Sequence, residues 1–155
     1  MPIPEFVVEI RKMIGHHEMW LPGVTAVVTR GDEILLVRRA DNGQWTPITG
    51  IPEPGEEPAQ AIAREALEET GVVVSVDRLA STSVYPGVVH ANGDRASYLD
   101  LTFACTYVSG EAHVGDDESV DVLWFPVDAM PEMEPPMLQR IADVLSGEQA
   151  AKFVR

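Results

Sequence analysis

Residues 58–70, PAQAIAREALEET, form the segment that most constrains how this chain can fold. Proline is favoured at the first position of a helix and glycine just past its end, so Pro58 and Gly71 predict a helix between them. Three acidic side chains with i, i+3, i+4 spacing are predicted to project from one face: Glu65, Glu68 and Glu69. The residues predicted to form the opposite, core-facing stripe are Ala59, Ile62, Ala63, Ala66 and Leu67.

This clustering of like charges opposes helix formation unless something offsets it. Like charges at i, i+4 destabilise an isolated helix by about 0.2–0.5 kcal/mol per pair. Glu68 and Glu69 also lie in the last turn, where the helix dipole disfavours anions. A bound cation would offset the repulsion, and clustered carboxylates without Cys or His nearby suit Mg²⁺ or Mn²⁺ better than zinc or iron. A solvated acidic helix face is the alternative interpretation.

Composition limits the classes of function that the chain can have. Its 155 residues fit one domain, and the single cysteine, Cys105, allows no internal disulfide and is predicted to be a small core residue. The formal net charge of -14 argues against binding a nucleic acid polymer along its length. No apolar run approaches the roughly 18 residues of a membrane helix. The first residues lack the pattern of a signal peptide, so we expect a cytoplasmic location.

The rest of the chain contains further helical and strand-like segments. An amphipathic helix is predicted over 4–14, and a hairpin turning at Gly31-Asp32 is predicted over 24–30 and 33–39. A long connection rich in proline and glycine leads from this hairpin to the acidic helix. The remaining predictions are strands over 72–85, 97–108 and 119–127 and a helix over 135–145, with Leu138, Ile141, Ala142 and Leu145 on one side.

Residues 50–72, GIPEPGEEPAQAIAREALEETGV, resemble the Nudix box, and all fixed positions of that motif are present. The resemblance covers most of the chain and extends to a bacterial branch of ADP-ribose and nucleotide pyrophosphatases. It implies an α/β fold, an α/β/α sandwich around a mixed β-sheet, formed as one domain over residues 1–155. The chain departs from the family before the box, where Ile48-Thr49 replaces the usual Pro-Gly. The loop backbone that meets metal or phosphate is therefore expected to differ.

The resemblance implies that water attacks phosphorus in the diphosphate of a nucleoside diphosphate linked to another group, with Mg²⁺ or Mn²⁺ as cofactor. The implied catalytic residues are Arg64, Glu65 and Glu118. The implied metal ligands are Glu56, Glu65, Glu68, Glu69 and the backbone at Gly50. The candidate substrate contacts are Arg38, Arg39, Trp45 and Arg95.

Several of these residues also have a purely structural interpretation. Glu56 places a favourable negative charge at the positive end of the helix. Trp45 is suited to core packing beside the loop. Because neighbouring strand residues point to opposite faces, one of Arg38 and Arg39 is expected to be an exposed strand terminus. The two aspartates before Glu118 are typical of a solvated acidic turn.

Two alternative functions remain beside the hydrolase. A non-catalytic nucleotide-binding regulatory module on the same fold is expected to have lost box carboxylates, which this chain keeps. An acidic divalent-ion buffer would need the alternating oxygen ligands of a calcium loop, which are absent. The expected partner is a small nucleotide, either a nucleotide sugar such as ADP-ribose or a nucleoside triphosphate. Apolar strands and the leading amphipathic helix suit a homodimer, and an edge strand covered by that helix predicts the same pattern.

Overall fold

A computed structural model describes residues 3–155, which form three helices and seven strands. The helices are α1 (Glu5–Ile14), α2 (Pro58–Thr70) and α3 (Pro135–Leu145). The strands are β1 (Met19–Arg30), β2 (Glu33–Arg39), β3 (Trp45–Thr46), β4 (Ile48–Gly50), β5 (Val73–Val89), β6 (Arg95–Ser109) and β7 (Ser119–Pro126). The predicted bounds of α2 and α3 are confirmed. Within the described residues, no helix combines the length and apolar character needed to cross a membrane.

All seven strands join one mixed sheet in the order β3-β2-β1-β6-β5, with β4 paired to β1 and β7 paired to β2. Strands β1 and β6 run parallel, and the other pairings are antiparallel. Helix α2 packs on one face of the sheet, and α1 and α3 pack on the other. The expected α/β/α sandwich around a mixed sheet is therefore confirmed.

Residues 23–28 of strand β1 are the centre of the core because they are buried on both faces of the sheet. Alternation along the strand sends Val24 towards Ile62 of α2, and it sends Val27 towards Ile141 of α3. Each helix thus has its own apolar cluster against the same sheet. Cys105 belongs to the cluster under α2 and is buried, which confirms its prediction as a core residue.

The connection that precedes α2 contains two short strands that the sequence did not predict. Strand β4 pairs with β1 through Val24 opposite Gly50 and Ala26 opposite Ile48. Ile48 is fully buried in the core under α2. Ile48, one of the two residues that depart from the usual motif, therefore occupies an apolar strand position, and Gly50 at the end of the same strand lies against Glu65 of α2.

The predicted core face of α2 was partly wrong. Leu67 was assigned to the core and is 52% exposed, whereas Glu65 and Glu69 were assigned to a shared outer face and are buried. Glu68 alone of the three carboxylates lies largely in solvent. Helical periodicity predicts that charged side chains face solvent, whereas the side chains of Glu65 and Glu69 are buried.

Helix α3 departs from its prediction in the same way. Leu138 and Leu145 are exposed, and the buried residues include Arg140 and Asp143. The packed face is thus rotated away from the leucines that periodicity selected. A buried polar cluster on β6, described below, accounts for the inward direction of Arg140.

Candidate functional site

The acidic site begins where Gly50, at the end of β4, meets α2. A Cβ at Gly50 would collide with the side chain of Glu65, so a residue without a side chain lets the carboxylate lie against the strand. Glu65 is 0% exposed, and its Oε1 accepts a hydrogen bond from Arg64 at 3.0 Å. Its Oε2 has no hydrogen-bond donor within the described part of the chain. A buried carboxylate oxygen in this state is costly, which indicates that a ligand completes it.

The electrostatic environment of both buried carboxylates favours protonation in the absence of a cation. Burial raises the pKa of Glu65 to about 7, with the nearby Arg64 opposing the shift. Burial also raises the pKa of Glu69, and the negative charges of Glu65 and Asp116 raise it further. Two carboxylates whose pKa values rise together attract a positive charge strongly.

A loop between β6 and β7 brings further acidic groups to Glu69. The carboxylates of Glu69, Asp116 and Glu118 each offer an oxygen, and these oxygens lie within 4.8 Å of one another. Backbone hydrogen bonds attach the loop to the end of α2, because the N–H groups of His113 and Gly115 donate to the carbonyls of Thr70 and Glu69 at 3.0 and 2.9 Å. The backbone of α2 thus positions the loop acids.

Arg64 organises the outer side of the acidic site. Its Nε and Nη2 donate to both oxygens of Glu56 at 2.8 and 2.9 Å, and its Nη1 also reaches Glu68 at 3.2 Å. The hydrogen bonds from Arg64 lower the pKa of Glu56, and those to Glu56 raise the pKa of Arg64 above its usual range. Arg64 therefore contacts Glu56 and Glu68 on the outer side and Glu65 on the inner side, and Glu65 and Glu69 are buried.

The four residues predicted to contact the substrate lie in different environments in the structure. Of the four, only Arg39 lines the cavity described next. Trp45 packs edge-on against Phe125 with ring centroids 4.9 Å apart, which matches its structural interpretation. Arg38 is exposed and donates to a carbonyl of the following turn, and Arg95 is exposed at the start of β6. The expected opposition of Arg38 and Arg39 on the two faces of β2 agrees with this difference.

A cavity of about 740 Å³ lies on the face of the sheet that carries α1 and α3. Its floor is formed by β1 and β6, and α1, α3 and the turn between β5 and β6 form its walls. It reaches the acidic site at Gly50 and Glu118. Its volume is within the range of sites for small organic ligands, about 300–1,000 Å³.

Sequence reasoning missed most of the polar residues that line this cavity. The missed residues include Tyr85, Tyr98, Asp100, Glu134 and Arg140. Two of them left a signal in the sequence, since Asp100 interrupts an apolar strand and Arg140 lies one position from the apolar stripe of its helix. A charged residue inside an otherwise buried pattern indicates either a buried pair or a ligand contact.

The residues present fit a divalent cation. The available donors are carboxylate oxygens, which Mg²⁺ and Mn²⁺ prefer. The unpartnered Oε2 of Glu65 and the raised pKa values of Glu65 and Glu69 distinguish this group, among the described residues, from an ordinary solvated acidic face. The site can therefore hold a metal beside a cavity of nucleotide size.

Comparison with known proteins agrees with this geometry. The family model of the NUDIX domain matches residues 19–146. The chain is 34% identical over 134 residues to the NAD-capped RNA hydrolase NudC of Stutzerimonas stutzeri strain A1501, an alignment that covers 85% of this chain and 45% of that protein. The chain thus spans less than half the length of this relative.

Two further matches cover more of the compared protein. A MutT-like protein of Streptomyces ambofaciens is 37% identical over 126 residues, which cover 80% of this chain and 76% of that protein. The solved structure of a NUDIX hydrolase from Nitrosomonas europaea superposes with a TM-score of 0.71 at 28% identity, covering 86% of this chain and 93% of the other. Both matches agree with the resemblance seen in the acidic segment.

Proposed function

Because this chain belongs to the Nudix hydrolase family, we propose that it hydrolyses the diphosphate of a nucleoside diphosphate linked to another group. Nucleotide sugars such as ADP-ribose and nucleoside triphosphates make up the candidate substrates. The observation that carries this proposal is the pair of buried, inward-directed carboxylates, Glu65 and Glu69, which lie beside the cavity-lining residues Gly50 and Glu118. The net charge of -14 favours a small nucleotide over a long nucleic acid.

In this proposal the chain's own residues hold and orient the reacting groups. Glu65 and Glu69 would hold Mg²⁺ or Mn²⁺, with Glu56, Glu68 and the backbone at Gly50 as further candidates. The bound cation would offset diphosphate charge and lower the pKa of bound water. Arg64 keeps Glu65 in one orientation through the 3.0 Å hydrogen bond.

Two other residues complete the proposed reaction. Glu118 lies on the loop attached to α2 and is the proposed general base that takes a proton from the attacking water. Arg39 lines the cavity and is the proposed phosphate contact, although in the structure it donates to Asp41 at 2.6 and 2.9 Å. Binding of substrate would therefore exchange or share this carboxylate partner.

The test is phosphate and nucleotide release from a panel of ADP-ribose, nucleotide sugars, nucleoside triphosphates and dinucleoside polyphosphates in the presence of Mg²⁺. Glu69→Gln is expected to lower kcat/KM at least 100-fold, about 2.7 kcal/mol of barrier, while circular dichroism shows an intact fold. Glu57→Gln is the matched control, since Glu57 is an exposed residue of the same segment with the same charge. It should stay within twofold of the wild type.

Retention of more than a tenth of the wild-type kcat/KM in Glu69→Gln would contradict the metal role of that residue. A wild type that binds Mn²⁺ and nucleotides but releases no product would instead favour the regulatory module. A wild type that binds Mn²⁺ and no nucleotide would favour the ion buffer.

A further inference from the structure

A buried ion pair lies on the α3 face of the sheet, in the same cavity and away from the acidic residues of α2. Arg140 is 5% exposed and Asp100 is 3% exposed, with 3.4 Å between Nε and Oδ2. The hydroxyls of Thr25 and Thr102 donate to the two oxygens of Asp100 at 2.8 and 2.6 Å. Each oxygen of this carboxylate therefore has a partner supplied by the protein.

The guanidinium of Arg140 is fixed but incompletely used. Its Nη1 donates to Thr25 at 3.1 Å, while its Nε makes no hydrogen bond within the described residues despite being buried. Its Cζ lies 5.6 Å from the centre of the Tyr85 ring, and the Tyr85 hydroxyl donates to Glu134 at 2.7 Å. Arg140, Asp100, Tyr85 and Glu134 all line the cavity. An arginine held in this way presents donors in a preset geometry.

Stability alone does not account for this pair. Replacing a buried ion pair by well-packed apolar residues of similar volume is often neutral or stabilising. The surrounding cluster on this face is apolar, with Met137 and Ile141 from the same helix, so such a replacement has suitable neighbours. A pair that packing does not require, placed at the wall of a ligand-sized cavity, indicates recognition.

The register of β1 relates this pair to the acidic site. Gly50 on β4 lies opposite Val24, and the adjacent Gly23 lies opposite Asp100 on β6. Neighbouring strands are about 4.8 Å apart, so Gly50 and Asp100 are separated by about 10 Å across the sheet. Because Gly50, Asp100 and Arg140 line the same cavity, a diphosphate bound at Gly50 would leave space for the attached nucleoside over β6, beside Arg140.

We propose that Arg140 is a specificity-determining residue that donates hydrogen bonds to the uncharged nucleoside part of the substrate, with Asp100 as its positioning residue. This inference rests on the proposed nucleotide substrate. Because Asp100 neutralises the guanidinium, the pair presents donors without net positive charge, which suits a base carbonyl, a ring nitrogen or a ribose hydroxyl more than a phosphate. Tyr85 and Tyr98 add aromatic surface for the base.

The test compares the wild type with the double variant Asp100→Asn with Arg140→Met. In the double variant the asparagine oxygen can accept from Thr102, and its NH2 group can donate to Thr25, which no longer accepts from Arg140. The methionine side chain keeps apolar volume, so we expect the double variant to fold. Calorimetric titration with AMP, GMP, CMP and UMP should show that at least one binds the wild type and loses affinity at least tenfold in the double variant. For nucleotide substrates, the loss should fall on KM more than on kcat. Competitive inhibition by magnesium pyrophosphate, which lacks a nucleoside, should stay within twofold.

Arg78→Met is the matched control. Arg78 on β5 is also a partly buried arginine that contacts α3, since it donates to the carbonyl of Val144 at 2.8 Å, but it does not line the cavity. Its nucleotide affinity should stay within twofold of the wild type even if its melting temperature falls.

Three results would overturn the proposal. The first is unchanged nucleoside monophosphate affinity in a folded double variant. The second is an equal loss of pyrophosphate and nucleotide binding, and the third is a wild type that binds none of the four monophosphates. Because titration needs no turnover, a wild type that binds a nucleotide through Arg140 but hydrolyses nothing would support this subsite while contradicting the hydrolase.

Discussion

Buried carboxylates lie on both faces of the sheet, and their hydrogen-bond partners differ between the two faces. On the α3 face, Asp100 has two threonine hydroxyls and the guanidinium of Arg140 around it. On the α2 face, Glu65 has one oxygen bonded by Arg64 and one without a donor in the described residues, and Glu69 lies close to further acids. We call the first the closed cluster and the second the open cluster.

The difference between the two clusters shows that the partners of a buried carboxylate indicate its role. In the closed cluster, donors from three elements surround the carboxylate of Asp100, so both of its oxygens have partners from the protein and it needs no cation. In the open cluster, burial raises the pKa of Glu65 to about 7 although Arg64 opposes the shift, so the folded chain has an unmet requirement for a proton or a cation. Burial of a carboxylate alone therefore does not indicate a metal site, whereas a buried carboxylate oxygen that lacks a hydrogen-bond donor does.

The largest expected effect comes from breaking the closed cluster at one side. Arg140→Met alone leaves Asp100 buried without its counter-charge, and we expect the free energy of unfolding to fall by about 3–5 kcal/mol. Urea denaturation in EDTA measures this change, and the double variant with Asp100→Asn should recover most of it. If the single variant lost less than about 1 kcal/mol, well below the loss expected for a broken buried pair, Asp100 would not depend on the charge of Arg140.

The next effect is the pH dependence of the open cluster in the metal-free protein. The folded pKa of Glu65 is raised from 4.5 to about 7, so its contribution to stability is fully present below the lower value and is lost as the pH rises through the higher one. The loss is on the order of 3 kcal/mol, since one pKa unit corresponds to about 1.4 kcal/mol. Urea denaturation at pH values from about 5 to about 9, which cover most of the titration of Glu65, measures this loss of unfolding free energy. Glu65→Gln should make the profile shallower and leave the part that comes from the raised pKa of Glu69. An equally steep profile in that variant would refute the assignment.

The smallest effect is stabilisation by the cation itself. A ligand at ten times its Kd stabilises the folded state by about 1.4 kcal/mol. We expect Mg²⁺ or Mn²⁺ to raise the melting temperature at pH 8 in the wild type and in the Asp100→Asn with Arg140→Met variant, and not in Glu69→Gln. If Glu69→Gln responded like the wild type, the open cluster would not be the cation site.

A feature can be predicted from the sequence when the residues that determine it lie close together in the chain. The bounds of α2 follow from Pro58 and Gly71, and the Nudix resemblance follows from spacings within one segment. The pairing of Asp100 with Arg140 depends on the parallel register of β1 and β6 and on the way α3 packs, and no local pattern encodes either. Periodicity therefore placed Glu65 and Glu69 on the outer face of α2 and did not indicate that Arg140 of α3 is buried.

Other features predicted from the sequence stay predictions. The assignment of catalytic and metal roles to individual glutamates, the homodimer, the cytoplasmic location and the extent of the domain over residues 1–155 await experiment. For Trp45, the contact with Phe125 shows why residue type alone is ambiguous, because an aromatic ring serves packing and stacking equally well. Only its neighbours across the sheet distinguish the two.

The double burial of β1 has a consequence for how such an enzyme can change. Val24, opposite Gly50, and Gly23, opposite Asp100, are consecutive residues of one strand that is packed on both sides. The span between the proposed place of bond cleavage and the proposed place of nucleoside recognition is therefore a property of rigid backbone and not of a loop. If both proposals hold, substitutions around Arg140 alter substrate choice while the spacing to the acidic residues stays constant, so the two functions can evolve separately.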